Sequence, residues 1–222
     1  MAIAPLNKFL TIAVPVAPGE QTVYTTPTGI TAILLYAQVA NVGVNTYPTV
    51  TFTHRRKSTS QRTAGNIRNI RIIKEREIPP NDALIVVDGR IILERTAIIT
   101  DSIVVEGVQS GIVSITNCLY DNNTGITTVT TISPHNFKIG DEVTMSGLGF
   151  TCSGSFGLTT SIFPSPQQSF TVDSIIGSVG TSKTFVTNSG IVIGIAHTYV
   201  SGGLVGPLQM ELLCSILENS TS

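Results

Sequence analysis

Covalent and acid–base chemistry needs nucleophiles, titratable groups or metal ligands gathered at one place, and this chain carries few of them. It has three histidines, His54, His135 and His197, and three cysteines, Cys118, Cys152 and Cys214. No Gly-x-Ser-x-Gly elbow is present, nor the strand-turn-helix context that would support one. Each histidine reads as structural: His54 carries the alternation of a strand into a basic stretch, His135 sits in a turn after Pro134, and His197 ends a strand. A zinc site needs three or four ligands at workable spacing, and the pooled His and Cys do not supply it. The cysteines are odd in number and widely spaced, without a C-x-x-C, so they read as small buried hydrophobes. Asp141 and Glu142 are adjacent, which in a strand sends them to opposite faces and excludes joint acid–base work. Gly177–Thr184 imitates a phosphate loop, but Ser182 stands where glycine should precede Lys183, and Phe185-Val186 continues as strand, so no helix N-terminus follows. The expectation is an absence of catalytic residues, of metal and of cofactors.

Charge is more informative. Eight of the 13 basic residues fall between positions 55 and 76, against one acid, Glu75. Arg55, Arg56, Lys57, Arg62, Arg68 and Arg71 are the candidate partner-docking residues, with Lys74 and Arg76 behind them. Ser58–Gly65 reads as a mobile loop between two strands that carry the remaining charge on their solvent face. Three readings are open: a solvated hairpin tip, an electrostatic dock onto an acidic neighbouring protein, or nucleic-acid binding. No aromatic residue is interleaved with the cations, which argues against base stacking and so against nucleic acid. The loops at Tyr120-Asp121-Asn122-Asn123 and at Tyr199 hold side chains that could meet a host-surface glycan, although the chain has no tryptophan to stack on a sugar ring.

The elements that would position these residues are strands. Among 222 residues there are 27 Ile, 21 Val and 30 Thr, against 11 Ala and 14 Leu. β-Branched residues resist helix and pack well on a pleated sheet, so the composition argues for an all-β protein and against a helical bundle or an α/β enzyme. Charged residues are 12% of the chain and its net charge is −1. No apolar run reaches the length of a membrane span, and Pro15 cuts the short one at Phe9–Val14, so a soluble, uncleaved protein is expected.

Eight strands are expected before residue 108: Lys8–Val16, Gln21–Thr25, Ile30–Asn41, Tyr47–His54, Ile67–Ile78, Ala83–Val87, Arg90–Glu94 and Ser102–Gly107, with Asp88-Gly89 as a two-residue hairpin turn. In Tyr47–His54, Val50 and Phe52 point one way while Thr49, Thr51 and Thr53 point the other. Leu208–Leu217 alternates too, and is expected to pair with Ser102–Gly107. A domain is then inserted into their connection, because an exposed turn already holds two chain ends close together. The organisation expected is a β-sandwich or jelly-roll-like scaffold, 1–111 plus 204–222, with a small β-barrel or second sandwich inserted at 112–203. The insert is rich in Ser, Thr and Gly. Its only basic residues are Lys138 and Lys183. Its strands are expected at Ile112–Thr116, Thr127–Ile132, Glu142–Gly147, Ser169–Ile175, Thr184–Val186 and Ile191–His197.

The segment Ser133-Pro134-His135-Asn136-Phe137-Lys138-Ile139-Gly140-Asp141-Glu142-Val143 resembles a pattern of tailed-bacteriophage virion proteins, in which a His, Gly and Asp turn joins two strands of a small β-module. Phe170-Thr171-Val172 and Ala196–Gly203 are similar to later parts of that module in virion proteins of marine cyanophages. Tyr24–Gly29, Ile78-Pro79-Pro80, Gly89–Glu94 and Ser215–Glu218 are similar to an accessory β-sandwich of such particles. The chain departs from that pattern at Thr100-Asp101, where a Gly-Asp pair is usual. The resemblance implies a non-enzymatic structural component of the virion, assembled in the host bacterial cytoplasm. Its scaffold would dock on other virion structural proteins, as capsid decoration or as a neck or tail accessory, and its insert would project outward. Homo-oligomerisation is expected on base rates; a membrane partner is not. The alternative is a receptor- or glycan-binding module of a tail fibre or baseplate.

Overall fold

The computed structural model describes residues 7–60, 63–154, 157–165, 167–191 and 196–220, and among them it contains seventeen strands and no helix. The chain divides into two units: Met1–Val16, Glu20–Val108 and Gln209–Ser222 form the first, Ala17–Gly19 and Gln109–Leu208 the second.

The first unit is a sandwich of two four-stranded sheets. One runs β1 (Asn7–Pro15), β17 (Met210–Ser220), β3 (Ile30–Asn41), β6 (Ala83–Glu94). The other runs β2 (Gly19–Thr25), β7 (Ile99–Val108), β4 (Thr49–Ser60), β5 (Thr63–Glu77). Counted along this unit alone, with β17 as the eighth strand, the orders are 1-8-3-6 and 2-7-4-5, the jelly roll of two Greek keys. Period-two alternation makes it possible: Leu34, Val39, Leu212 and Ile216 of one sheet face Phe52, Ile103 and Val105 of the other across the core. Val50 and Phe52 point inward as their alternation requires, although Thr51 and Thr53 are buried as well.

Four sequence expectations change. Leu208–Leu217 does not pair with Ser102–Gly107: β17 pairs with β1 and β3, while β7 pairs with β4. Alternation says that both segments bury one face, but not which neighbour each takes, and in a jelly roll successive strands cross to the opposite sheet. The insertion therefore leaves one sheet and returns to the other. Asp88-Gly89 is not a turn. Both halves pair with β3, and Leu34 opposite Ile91 followed by Tyr36 opposite Asp88 leaves Gly89 and Arg90 as a bulge within one strand. A twelve-residue partner offers more backbone to an extended β6 than a short hairpin would use. Of the expected loop Ser58–Gly65, residues 58–60 belong to β4 and 63–65 to β5, and 61–62 lie outside the described residues. Finally Leu204–Pro207, expected in the scaffold, forms a strand of the second unit.

In that unit six strands close a barrel in the order β10 (Glu142–Ser146), β13 (Ser169–Ile176), β14 (Thr184–Asn188), β9 (Ile126–Thr131), β8 (Val113–Tyr120), β16 (Leu204–Pro207). A three-stranded sheet, β12 (Gly157–Ile162), β11 (Gly149–Gly154), β15 (Ala196–Ser201), completes it. Strands β11 and β12 were not expected from the sequence: the alternation Leu148, Phe150, Cys152 is short and is set among Gly, Ser and Thr. The last strand was expected to begin at Ile191, whereas β15 starts at Ala196, and residues 192–195 lie outside those described. The core gathers Phe150, Phe170, Phe185, Val129 and Met145.

The Ser133–Val143 segment is a folding device within this barrel. Asn136 and Gly140 take left-handed φ values of 59° and 92°. The Phe137 N–H donates to His135 Nδ1 at 3.1 Å, and the two rings stack with centroids 4.9 Å apart. The Lys138 N–H donates to Asp141 Oδ2 at 2.8 Å. Burial pulls the His135 imidazole below its usual range, against the opposing pull of the Thr184 backbone.

Candidate docking surfaces

The basic hairpin is built by β4 and β5, whose register sets Arg55 opposite Asn69, Arg56 opposite Arg68 and Lys57 opposite Ile67. The structure separates these cations into two groups. Arg55 makes a bidentate pair with Glu20 at 2.8 and 2.6 Å and donates from Nε to Asn69 Oδ1 at 2.8 Å. Arg56 turns toward Asp101 on the neighbouring β7, with Nε to Oδ1 at 2.8 Å and Nη2 to Oδ2 at 2.7 Å, and lies 3.2 Å from Glu94 Oε2.

Asp101 is fully buried, and its carboxylate also accepts the Glu94 N–H at 3.0 Å and lies 3.3 Å from His54 Nε2. Burial pushes the Asp101 carboxyl up, but the Arg56 guanidinium, the Glu94 N–H and His54 outweigh it and hold the group below the usual carboxylate range. The Asp of Thr100-Asp101 is thus the anchor of a buried charge cluster. The bidentate bond fixes the orientation of the Arg56 guanidinium.

The remaining cations stand differently. Strand β5 is an edge strand, exposed along Asn66–Arg71, and it carries Arg68, Arg71, Lys74 and Arg76. Lys74 sits 3.3 Å from exposed Glu75. Among the described residues Lys57, Arg68, Arg71 and Arg76 make no ion pair. Arg62 lies outside the described residues. Cations along an edge also serve to blunt unwanted strand addition.

A second surface was not anticipated from the sequence. On the outward face of the β1-β17-β3-β6 sheet, the registers align Phe9, Leu217, Ile33 and Ile92 across all four strands. The next outward row is Thr11, Ser215, Tyr36 and Asp88, and the next Ala13, Leu213, Gln38 and Ile85. Phe9 is 75% exposed and Leu213 41% exposed, and Ile85 and Ile92 are exposed as well. A groove of about 380 Å³, mostly apolar, opens on this face between Ala13, Pro15, Gln38, Ala40 and Leu213. The signal was present in the odd-numbered residues of 9–13 and 211–217, but alternation was read for its inward half only.

The cysteine thiols are all buried. Cys152 and His197 are cross-strand neighbours on β11 and β15, with the thiol in hydrogen-bond contact with His197 Nδ1. The imidazole stacks flat on Phe163 with centroids 4.2 Å apart, and burial lowers its pKa. A nucleophile and a base do meet here, 45 residues apart in sequence, yet Cys152 is only 5% exposed. Burial pushes the Cys118 and Cys214 thiols up to about 12. No cluster of three or more metal-ligating side chains exists among the described residues. Of the loop residues considered for glycan contact, Tyr120 packs edge-on against Phe163 and donates from its hydroxyl to Gly190 O at 2.7 Å. Asp121 accepts from the Asn123 N–H at 2.9 Å and the Thr124 hydroxyl at 2.8 Å, and Tyr199 donates to Gly202 O at 2.9 Å. The Asp121 bonds and the Tyr199–Gly202 bond are local, whereas Tyr120 ties its strand to distant segments.

No known protein family and no curated protein matches the chain. Among solved structures, the stem and receptor-binding domain of the spike protein P1 from bacteriophage PM2 aligns over 96% of this chain and 96% of that one, at 9% identity and a TM-score of 0.20. A likeness of that size carries no argument about fold or function.

Proposed function

We propose that this chain is a non-enzymatic structural subunit of a tailed-bacteriophage virion. Its jelly-roll unit docks on neighbouring virion proteins, as capsid decoration or as a neck or tail accessory, and it presents the inserted barrel to the particle's surroundings. The observation that carries the reading is the cationic edge of β5. Arg68, Arg71 and Arg76 have no acidic partner among the described residues, in a chain whose net charge is −1. Such an edge steers and orients an acidic neighbour, and repetition by symmetry turns modest contacts into stable attachment. The sequence resemblance to virion accessory proteins and the buried thiol of the Cys152–His197 pair support the same reading.

The docking set accordingly moves from Arg55 and Arg56, which are paired within the unit, to Lys57 and the β5 arginines. Reversing Arg68, Arg71 and Arg76 to Glu alters exposed side chains, so the circular dichroism spectrum and melting temperature stay near wild type. Incorporation of the variant into particles, measured by co-sedimentation, falls at least about tenfold if these contacts contribute ~1.4 kcal/mol together. Undiminished incorporation removes the docking role of this edge.

A further inference from the structure

The geometry points to the outward face of the β1-β17-β3-β6 sheet as a two-fold interface that binds a second copy of this chain. Four strands about 4.8 Å apart and the nine registers of β1 at about 3.4 Å each give a face of about 600 Å² in plan. Side-chain relief raises the accessible area above the plan value, toward the ~800 Å² per partner of a standard specific interface. The face is also self-complementary, as an isologous interface must be. A two-fold axis lying in the interface along the Thr11–Ser215–Tyr36 row brings each residue of the first row over the third-row residue of the same strand. Phe9 and Ala13 lie two residues to either side of Thr11, so Phe9 of one copy comes over Ala13 of the other, at the mouth of the groove. The most exposed large side chain on the face thus meets the groove, twice, and Leu217 meets Leu213 beside it. The polar middle row faces itself. Its fourth place, Asp88, sits exposed on the edge strand β6, where solvent and salt screen the like charges.

This inference does not depend on the virion reading, and the two fail separately: particle incorporation tests the β5 edge, whereas the oligomeric state of the purified chain tests this face. In sedimentation the wild-type chain is expected to be a dimer at about 10 µM. Phe9→Glu and, on the other row, Leu213→Lys are expected to be monomers with an unchanged circular dichroism spectrum. Thr11→Cys, placed on the axis, is expected to be joined to its own copy by a bis-maleimide spanning about 10 Å, the spacing of stacked sheets. The native cysteines are all buried, and Lys57→Cys serves as the control that stays unjoined. A wild-type chain that sediments as a monomer up to about 100 µM overturns the proposal. So does a dimer that persists in both Phe9→Glu and Leu213→Lys, or a Thr11→Cys variant that the reagent fails to join.

Discussion

Asp101 shows what a single residue decides in this fold. Its carboxylate has no exposure to water, and Arg56, the Glu94 N–H and His54 all converge on it. Replacing it by Asn keeps the volume but leaves Arg56 with Glu94 and solvent alone. Because Arg56 is about one-third exposed, the cost is expected near the low end for a broken buried pair, about 2–3 kcal/mol. The folded carboxyl titrates below the ordinary value of 3.8. Its contribution is therefore complete above that value and is lost as the pH falls through the folded pKa. Urea midpoints of wild type and Asp101→Asn should differ by a constant amount around neutral pH and converge as the pH drops below 3.8. A gap that is unchanged in acid would mean the charge on Asp101 is not what stabilises the cluster. None of this was legible in the sequence. Arg56 and Asp101 are 45 residues apart, and only the β4–β7 register, which sets Arg56 opposite Asp101, reveals that this nominated docking residue is tied down.

At the scale of elements, period two was the legible signal and register was not. Alternation in Tyr47–His54 and in Leu208–Leu217 correctly gave the inward faces, because a side chain's face follows from position alone once the strand is extended. The neighbour of each strand does not follow from its own residues, which is why β17 was assigned to the wrong sheet. Turn chemistry misled in a related way at Asp88-Gly89. Glycine permits a bulge as readily as a hairpin, and the choice is made by the strand alongside. The corrected placement carries its own test. Leu212 is 1% exposed and sits on β17, between β1 and β3, facing the jelly-roll core. Leu212→Asp buries a carboxylate without a partner, and is expected to cost about 4 kcal/mol or more, enough to unfold the first unit. Loss of the cooperative unfolding transition with retained strand content from the barrel is the expected readout. A variant with a wild-type melting curve would contradict the packing of β17.

For the molecule as a whole, the question is where one unit ends. The insert expected from sequence ends at Gly203, the second of a Gly-Gly pair, whereas the second unit runs on to Leu208. The structure gives those glycines another task. Gly202 and Gly203 take φ values of 77° and 110°. A Cβ on Gly203 would come within 2.8 Å of Leu148. They form a close-packed corner between β15 and β16, not a tether. Strand β16 then closes the barrel by pairing with β10 on one side and β8 on the other. A barrel without its closing strand exposes two edges and the core residues beside them, Met145 among them. A fragment of residues 109–208 is therefore expected to fold cooperatively, with dispersed amide resonances and a sharp thermal transition. The fragment 112–203, shorter by eight residues, is expected to aggregate or to show no such transition. Equal folding of the two would mean that the barrel does not need β16.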